Sequence, residues 1–171
     1  TEITTEDGNI TITAIADAVT DLSAGGTTPE HTISSTNGNV TLNVDDVAIQ
    51  YMTLIHAGNT LNIFNRNHAN SIGLGDGATG FLNFTSTELA ILNAGNKIVI
   101  GEDGVQTGDI NFDTWDMSGK TFDLEIYGND IFMGGITMGE GSLLVHAQDN
   151  GGDVGELPLD GDISRDAAGT A

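Results

Sequence analysis

Apolar residues alternate with threonine or asparagine in several short runs along the chain. Residues 9–14 and 39–44 show this clearly, since every second position carries Ile, Val, Leu or Ala. A period of two residues is typical of a β-strand that buries one face. The same pattern predicts further strands over residues 60–64, 80–84, 97–100, 109–112, 121–126 and 142–146.

The apolar members of these runs form the predicted core, because alternate side chains of a strand share one face. This inward set is Ile10, Ile12, Val40, Leu42, Leu61, Ile63, Leu82, Phe84, Ile98, Ile100, Ile110, Phe112, Phe122 and Leu124. Helix signals are scarce. Residues 86–92 predict one or two turns with Ser86 or Thr87 as the N-cap, and residues 45–55 are ambiguous. The pattern therefore predicts an all-β fold.

A strand-turn-strand unit recurs along the chain. Residues 3–13 return as residues 33–43, with an Asp/Asn-Gly-Asn turn at the same place in both copies. Looser echoes link 57–63 with 94–100, 79–84 with 107–112, and 72–77 with 98–104. Repeats at uneven spacing indicate stacked, irregular coils, so a β-solenoid is favoured and a β-sandwich is the alternative.

The repeat also predicts the register of the stack. Ile12 and Leu42 occupy matched positions, so we expect both to face inward in one ladder on neighbouring coils. Asparagines recur at matched corners, as in Asn9 with Asn39. Stacked asparagines at such corners are expected to bond from side chain to backbone along the axis.

The charge balance narrows the classes of partner. The 171 residues include 25 acidic and four basic side chains, and the formal net charge is −21. Too few cations are present to neutralise phosphates, so nucleic acid is not an expected partner. No apolar run is long enough to span a bilayer, so membrane insertion is not expected. Without cysteine, a disulfide scaffold and thiol catalysis are excluded.

The C-terminal part differs in composition from the rest. Residues 1–147 carry the predicted solenoid coils, whereas residues 148–171 form a Gly- and Asp-rich acidic tail or capping segment. We expect its apolar residues, notably Leu157, Leu159 and Ile163, to dock on the same or an adjacent subunit. Because the chain starts at Thr1 and not Met, it is expected to be a processed product or a piece of something larger.

A family likeness is carried by residues 79–101. A strand is followed there by Glu88-Leu89, an Ala94-Gly95 step and a strand that ends in Ile100-Gly101. With the Asp/Asn-Gly-Asn units, this block resembles filamentous-haemagglutinin-like proteins, and the likeness covers residues 1–147. The resemblance implies a right-handed parallel β-helix in a secreted or cell-surface bacterial adhesin. Such a protein is extracellular, and it contacts itself, neighbouring segments, or cell-surface and matrix glycans.

Two segments are candidates for calcium. Residues 127–135 look like one unit of the calcium-binding nonapeptide repeat, with Asn129 and Asp130 as oxygen ligands and Glu140 on the following stretch. An ordinary Gly-Asn-Asp corner is the alternative. The tail adds a second acidic cluster of Asp160, Asp162 and Asp166. An EF-hand alignment there fails because Pro158 falls on the third ligand position and the closing Glu is missing. Clustered carboxylates can still bind calcium opportunistically, so we expect calcium as an optional ligand and not as a required cofactor.

Asp45 and Asp46 are the candidate catalytic carboxylates, since paired acids activate water in inverting glycosidases. His56 is ten residues on, but no basic residue is near, and Arg66 and Lys97 have no evident carboxylate cluster around them. We therefore interpret the pair as a solvated turn and expect no enzyme activity. The prediction is a structural or adhesive solenoid element that can self-assemble head to tail into extracellular fibres. The alternative is a polysaccharide-degrading β-helix enzyme.

Overall fold

The computed structural model describes residues 2–13, 19–21, 31–48, 52–148 and 163–165. Within these ranges the chain forms seventeen strands and one short helix. In chain order they are β1 (Glu2–Thr5), β2 (Ile10–Thr13), β3 (Val19–Asp21), β4 (His31–Ser35), β5 (Val40–Val44), β6 (Asp46–Ala48), β7 (Met52–Ala57), β8 (Thr60–Asn65), β9 (Ile72–Leu74), β10 (Leu82–Phe84), α1 (Ser86–Ala90), β11 (Leu92–Ala94), β12 (Lys97–Ile100), β13 (Ile110–Asp116), β14 (Asp123–Gly128), β15 (Ile131–Met138), β16 (Leu143–Ala147) and β17 (Ile163–Arg165).

The fold is all-β, and the strand pairs of the described residues are parallel. The four-stranded sheet has the order β1-β4-β7-β11, and the six-stranded sheet has the order β16-β14-β12-β8-β5-β2. The five-stranded sheet has the order β10-β9-β13-β15-β17, and β3 pairs with β6. From β1 to β9, and again from β10 to β17, each strand lies in a different sheet from the strand before it, whereas β9 and β10 are neighbours in the five-stranded sheet. A β-sandwich is built from antiparallel strands, so this alternative does not fit the observed pairing.

The predicted register is confirmed in the six-stranded sheet. Ile12 pairs with Leu42, which pairs with Ile63 on the next strand. Ile63 pairs in turn with Ile100, and the ladder continues to Ile126. A second ladder, two residues earlier on each strand, runs through Ile10, Val40, Leu61, Ile98, Leu124 and Leu143. Parallel in-register pairing thus stacks aliphatic side chains directly on one another.

The predicted inward residues form the core with two exceptions. The other twelve are buried, whereas Ile10 and Ile12 are half-buried and pack against the core from one side. Both exceptions lie on β2, which is a terminal strand of the six-stranded sheet. A terminal strand has a neighbour on one side only, so its inward side chains are covered from one side.

The Asp/Asn-Gly-Asn corners link neighbouring strands of the six-stranded sheet. The Asn9 Oδ1 accepts from the Asn39 N–H at 2.9 Å, and the Asn39 Oδ1 accepts from the Thr60 N–H at 3.1 Å. This confirms the predicted side-chain ladder. The glycine in the corner allows close approach, because a Cβ on Gly38 would lie 2.3 Å from the Gly8 carbonyl oxygen.

The helix α1 begins one residue earlier than the sequence suggested. Its N-cap is Thr85, whose hydroxyl accepts from the Glu88 N–H while the Glu88 carboxylate accepts from the Thr85 N–H. This capping box makes the prediction of Ser86 or Thr87 as the N-cap wrong. The ambiguous stretch 45–55 contains strand β6 and the beginning of β7, so it is not helical where it is described.

Two of the three looser sequence repeats correspond to strands of the same sheet, and the third does not. Leu82 and Ile110 both pair with Ile72, so 79–84 and 107–112 lie on either side of β9 in one sheet. The Ala94–Ala57 pairing confirms the echo of 57–63 in 94–100. The echo of 72–77 in 98–104 is wrong, because β9 and β12 belong to different sheets.

The tail contributes to the fold at one described place. Strand β17 extends the five-stranded sheet, with Ile163 paired to Ile136. This pairing is within the same chain, whereas Leu157 and Leu159 lie outside the described residues, so the docking of the tail's apolar residues stays a prediction. No helix in the described ranges is long and apolar enough to cross a membrane.

Candidate functional site

A groove opens on the outer face of the five-stranded sheet where β13 and β15 bend. On β13 the inward residues Phe112 and Trp115 are three positions apart, so Asp113 and Thr114 both face away from the core. Their rings pack at a centroid distance of 6.1 Å. The neighbouring strand bends at the same level, where Thr114 pairs with Gly135.

This sheet groove has a volume of about 300 Å³. It is lined by Gly77, Ala78, Thr79, Asn111, Phe112, Asp113, Phe132, Met133 and Gly134. Gly134 allows β15 to approach β13 closely beside the groove, because a Cβ there would lie 1.7 Å from the Asp113 carbonyl oxygen. A residue with a side chain at this position would force β13 and β15 apart.

The loop between β9 and β10 forms one wall of the sheet groove. It turns at Gly75, whose φ of +105° is a conformation that favours glycine. The Gly77 N–H donates to the Asp113 Oδ2 at 2.9 Å, and the Asn111 Nδ2 donates to the Thr79 carbonyl oxygen at 2.7 Å. The wall is thus fixed to β13 by two side chains that also line the groove.

Phe132 supplies the apolar part of the sheet groove. It lies on β15 between the buried residues Ile131 and Met133, so its ring projects outward, and it remains 42% exposed. It pairs in register with Asn111 on β13. An exposed phenylalanine therefore stands beside an amide and a carboxylate on an otherwise glycine-rich surface.

Sequence reasoning missed this site. Phe132 lies inside the 127–135 motif, and the alternation of Ile131, Phe132 and Met133 already indicated that Phe132 points outward. Asp113 gave no comparable signal. Its position beside Gly77, 36 residues earlier, depends on which coils are neighbours.

The interpretation of Asp45 as a solvated turn residue is wrong. Asp45 is 2% exposed, and its Oδ2 accepts from the Arg66 Nε at 2.9 Å and lies 2.9 Å from a second guanidinium nitrogen. Arg66 follows β8 directly, and its N–H donates to the Val44 carbonyl oxygen, so matching positions of adjacent coils meet. The expectation that no basic residue is near Asp45 is therefore also wrong. Asp46 begins strand β6.

A buried carboxylate that is paired with a guanidinium is a structural link between coils. Water has little access to Asp45, and the Arg66 side chain occupies one of its oxygens. The expectation that the pair is not catalytic stays a prediction.

The predicted calcium corner stacks on a third residue, Asp109. The Asp109 Oδ1 accepts from the Asn129 Nδ2 at 3.3 Å and from the Asp130 N–H at 3.2 Å. Glu140 is in a different turn, where its N–H donates to the Lys120 carbonyl oxygen. In the part of the chain that the structure describes, no three His, Asp or Glu side chains converge as metal ligands. Asp160, Asp162 and Asp166 lie outside that part, so calcium stays a prediction.

Other charged groups link coils across the outer face of the six-stranded sheet. The Lys97 Nζ contacts both carboxylate oxygens of Glu125 at 2.9 and 3.0 Å. Burial is the main cause that raises the pKa of the Tyr127 phenol, and the negative charge of Glu125 raises it further. Hydrogen bonds from the backbone and side chain of Ser142 lower the pKa of Asp123. The contacts of Lys97 with Glu125 and of Ser142 with Asp123 link neighbouring strands of this sheet.

No protein family, curated protein or solved structure matches this chain. The resemblance to filamentous-haemagglutinin-like proteins therefore stays a prediction, and function has to be argued from the geometry described above.

Proposed function

We propose that the chain is a right-handed parallel β-helix that serves as a structural and adhesive element of a secreted or cell-surface bacterial protein. In this proposal its coils stack end to end with further coils, from a second copy or from neighbouring segments of the same protein. The observation that carries the proposal is the six-stranded parallel sheet, whose ladders are in register and whose terminal strands have a neighbour on one side only among the described residues.

The order in which the chain visits its sheets supports the β-helix. The chain passes from β1 to β2 to β3, then from β4 to β5 to β6, and each strand pairs in parallel with its counterpart one round earlier. Parallel strands joined by crossovers of this kind are right-handed in nearly all proteins. In the six-stranded sheet, paired residues are 19 to 37 positions apart, which agrees with the uneven spacing of the sequence repeats.

The two ends of the six-stranded sheet support end-to-end stacking. Among the described residues, β2 and β16 are its terminal strands, and each has a neighbour on one side only. Their inward residues Ile10 and Ile12 at one end, and Leu143 and Val145 at the other, are only partly buried. An edge with unpaired backbone and uncovered apolar residues is a template for another strand.

The negative charge of the chain opposes end-to-end stacking, and we propose that calcium reduces this repulsion. A net charge of −21 on each copy resists close approach. Calcium binds carboxylate oxygens, so cations that bridge acidic side chains across the joint would reduce the repulsion.

The test removes one hydrogen-bond donor from the open edge. The Ile10 N–H donates to the Asn39 carbonyl oxygen, so the next residue, Thr11, directs its N–H away from β5. Thr11→Pro removes that donor, and a proline is tolerated on an edge strand. Thr11→Ala is the matched control, because it changes the side chain and keeps the N–H.

Particle mass is measured by light scattering, and shape by electron microscopy, over a range of concentrations with calcium or with a chelator. We expect elongated particles from the wild-type chain and from Thr11→Ala, and monomers from Thr11→Pro. Monomers of all three proteins at high concentration with calcium would contradict self-stacking. Equal assembly of Thr11→Pro and Thr11→Ala would contradict a joint at this edge.

A further inference from the structure

The sheet groove combines features that the stacked core does not need. A core requires inward ladders, whereas Phe132, Asn111 and Asp113 are arranged together on the outer face. Phe132 leaves 42% of its surface in water. A concave surface that combines an apolar ring with a few fixed polar groups has the composition of a small-molecule site.

We propose that the sheet groove binds a neutral saccharide. A pyranose ring has one face of C–H groups and a rim of hydroxyls. The C–H face would pack on the flat apolar ring of Phe132. The hydroxyls would bond to the carboxylate and amide groups beside it, and the volume of about 300 Å³ is at the lower end of the range for small-molecule sites.

The polar groups of the groove suit hydroxyl donors. An ionised carboxylate only accepts hydrogen bonds and offers about four lone-pair sites, of which the Gly77 N–H uses one in Asp113. The Asn111 Nδ2 donates to Thr79, which leaves the amide oxygen of Asn111 as an acceptor. Because the Gly77 and Thr79 contacts hold these two side chains in place, little side-chain entropy would be lost on binding.

Charge selects among saccharides. None of the described residues that line the sheet groove is Lys, Arg or His, and the chain carries a net charge of −21. A uronic or sialic acid would meet the Asp113 carboxylate with no cation to compensate, so acidic sugars are disfavoured.

A cationic ligand is the competing occupant, since an ammonium group also favours a carboxylate next to an aromatic face. Of the two phenylalanines in the described lining, Phe112 is buried and Phe132 is exposed, so the lining does not form the aromatic cage that such ligands prefer. The other polar groups of the lining, on Thr79 and Asn111, are uncharged. These features favour the saccharide. Salt dependence separates the two, because charge pairing weakens as ionic strength rises.

The inference rests on the adhesive part of the proposed function and does not depend on stacking. Binding is measured by calorimetry on the full chain with cellotriose, maltotriose, mannotriose and chitotriose. Trigalacturonate is the acidic comparison, and spermidine is the cationic one. Each titration is run at low and at high salt, and particle mass is followed in the same samples, so that a failure to bind is distinguished from a failure to assemble.

Two groove variants and a matched control locate the site. Phe132→Ala removes the stacking face, and Asp113→Asn removes the charged acceptor while keeping its size. Phe81→Ala is the control, because Phe81 is also exposed, at 52%, and does not line the groove. Circular dichroism and urea unfolding of each variant show whether the fold is retained.

We expect at least one neutral trisaccharide to bind with little dependence on salt. Its affinity should fall by about tenfold or more in Phe132→Ala and in Asp113→Asn, and by less than about twofold in Phe81→Ala. Three results would overturn the proposal. One is that no neutral trisaccharide binds, another is that only spermidine binds and does so in a salt-dependent way, and the third is that folded Phe132→Ala binds as the wild type does.

Discussion

Removing the same side chain at two levels of one ladder tests whether the end of the stack is open. Ile63 lies in the middle of the six-stranded sheet between Leu42 and Ile100, and it is completely buried. Ile12 lies in the same ladder but on the terminal strand, and it is half-buried. The comparison is between Ile63→Ala and Ile12→Ala.

The expected losses follow from burial. Each substitution removes three carbons, and a buried methylene contributes about 0.8 kcal/mol, so the transfer term at Ile63 is about 2.4 kcal/mol. A cavity between two stacked isoleucine or leucine neighbours adds to this, so Ile63→Ala should lower the free energy of unfolding by about 3–4 kcal/mol. At Ile12 about half of the transfer term applies and the space opens to water, so the loss should be about 1 kcal/mol.

Urea unfolding followed by circular dichroism and by the fluorescence of Trp115, the only tryptophan of the chain, gives both values. Agreement between the two probes and equal m-values support a two-state analysis. The measurement is made at a concentration where the protein is monomeric. Equal losses for Ile12→Ala and Ile63→Ala in the monomer would mean that Ile12 is covered, and the inferred open end would be wrong.

Three further predictions concern the contacts between coils. Arg66→Gln should destabilise the fold by about 1–3 kcal/mol in urea unfolding, because it leaves the buried Asp45 charge without its partner, and adding Asp45→Asn should restore part of the loss. Gly38→Ala should destabilise far more than Gly8→Ala, because a Cβ on Gly38 meets backbone of the preceding coil whereas one on Gly8 meets only the hydroxyl and side-chain carbons of a threonine. The pKa of Asp123 is lowered by hydrogen bonds from the next coil, so its contribution to stability is present above the unfolded-state pKa and is lost as the pH falls through the folded-state pKa. Asp123→Asn should therefore narrow the difference in urea midpoint between neutral pH and strongly acidic pH.

Each of these has an outcome that would count against it. A double variant at positions 45 and 66 that is less stable than Arg66→Gln would show that the pair is not the source of the loss. Equal effects of alanine at positions 8 and 38 would mean that the first coil is covered by further backbone. An unchanged acid dependence in Asp123→Asn would assign the loss of stability in acid to other carboxylates.

The local pattern of the sequence determined the strands and their inward faces. Alternation at Ile10 and Ile12, and again at Val40 and Leu42, specifies both that a strand forms and which side chains it buries, since successive side chains of a strand point to opposite faces. The repeated Asn-Gly-Asn corner specified which strands lie in register, because Gly38 allows the close approach that lets Asn9 bond to the next coil. These features are local or repeated, so they can be read without the fold.

The tertiary structure alone decided which distant residues meet, because the paired strands are unequally spaced along the chain. Asp45 and Arg66 are 21 residues apart and Gly77 and Asp113 are 36 apart, and nothing local in the sequence distinguishes these pairs from others. The position of β9 between β10 and β13 is equally non-local, since each of these short strands has the same apolar pattern and could pair with several partners. The sheet groove depends on that pairing and on the bend at Asp113 and Gly134. The sheet groove lies on the outer face of the five-stranded sheet and is assembled from side chains of different strands. Only the order of the strands brings Phe132 on β15 next to Asn111 and Asp113 on β13.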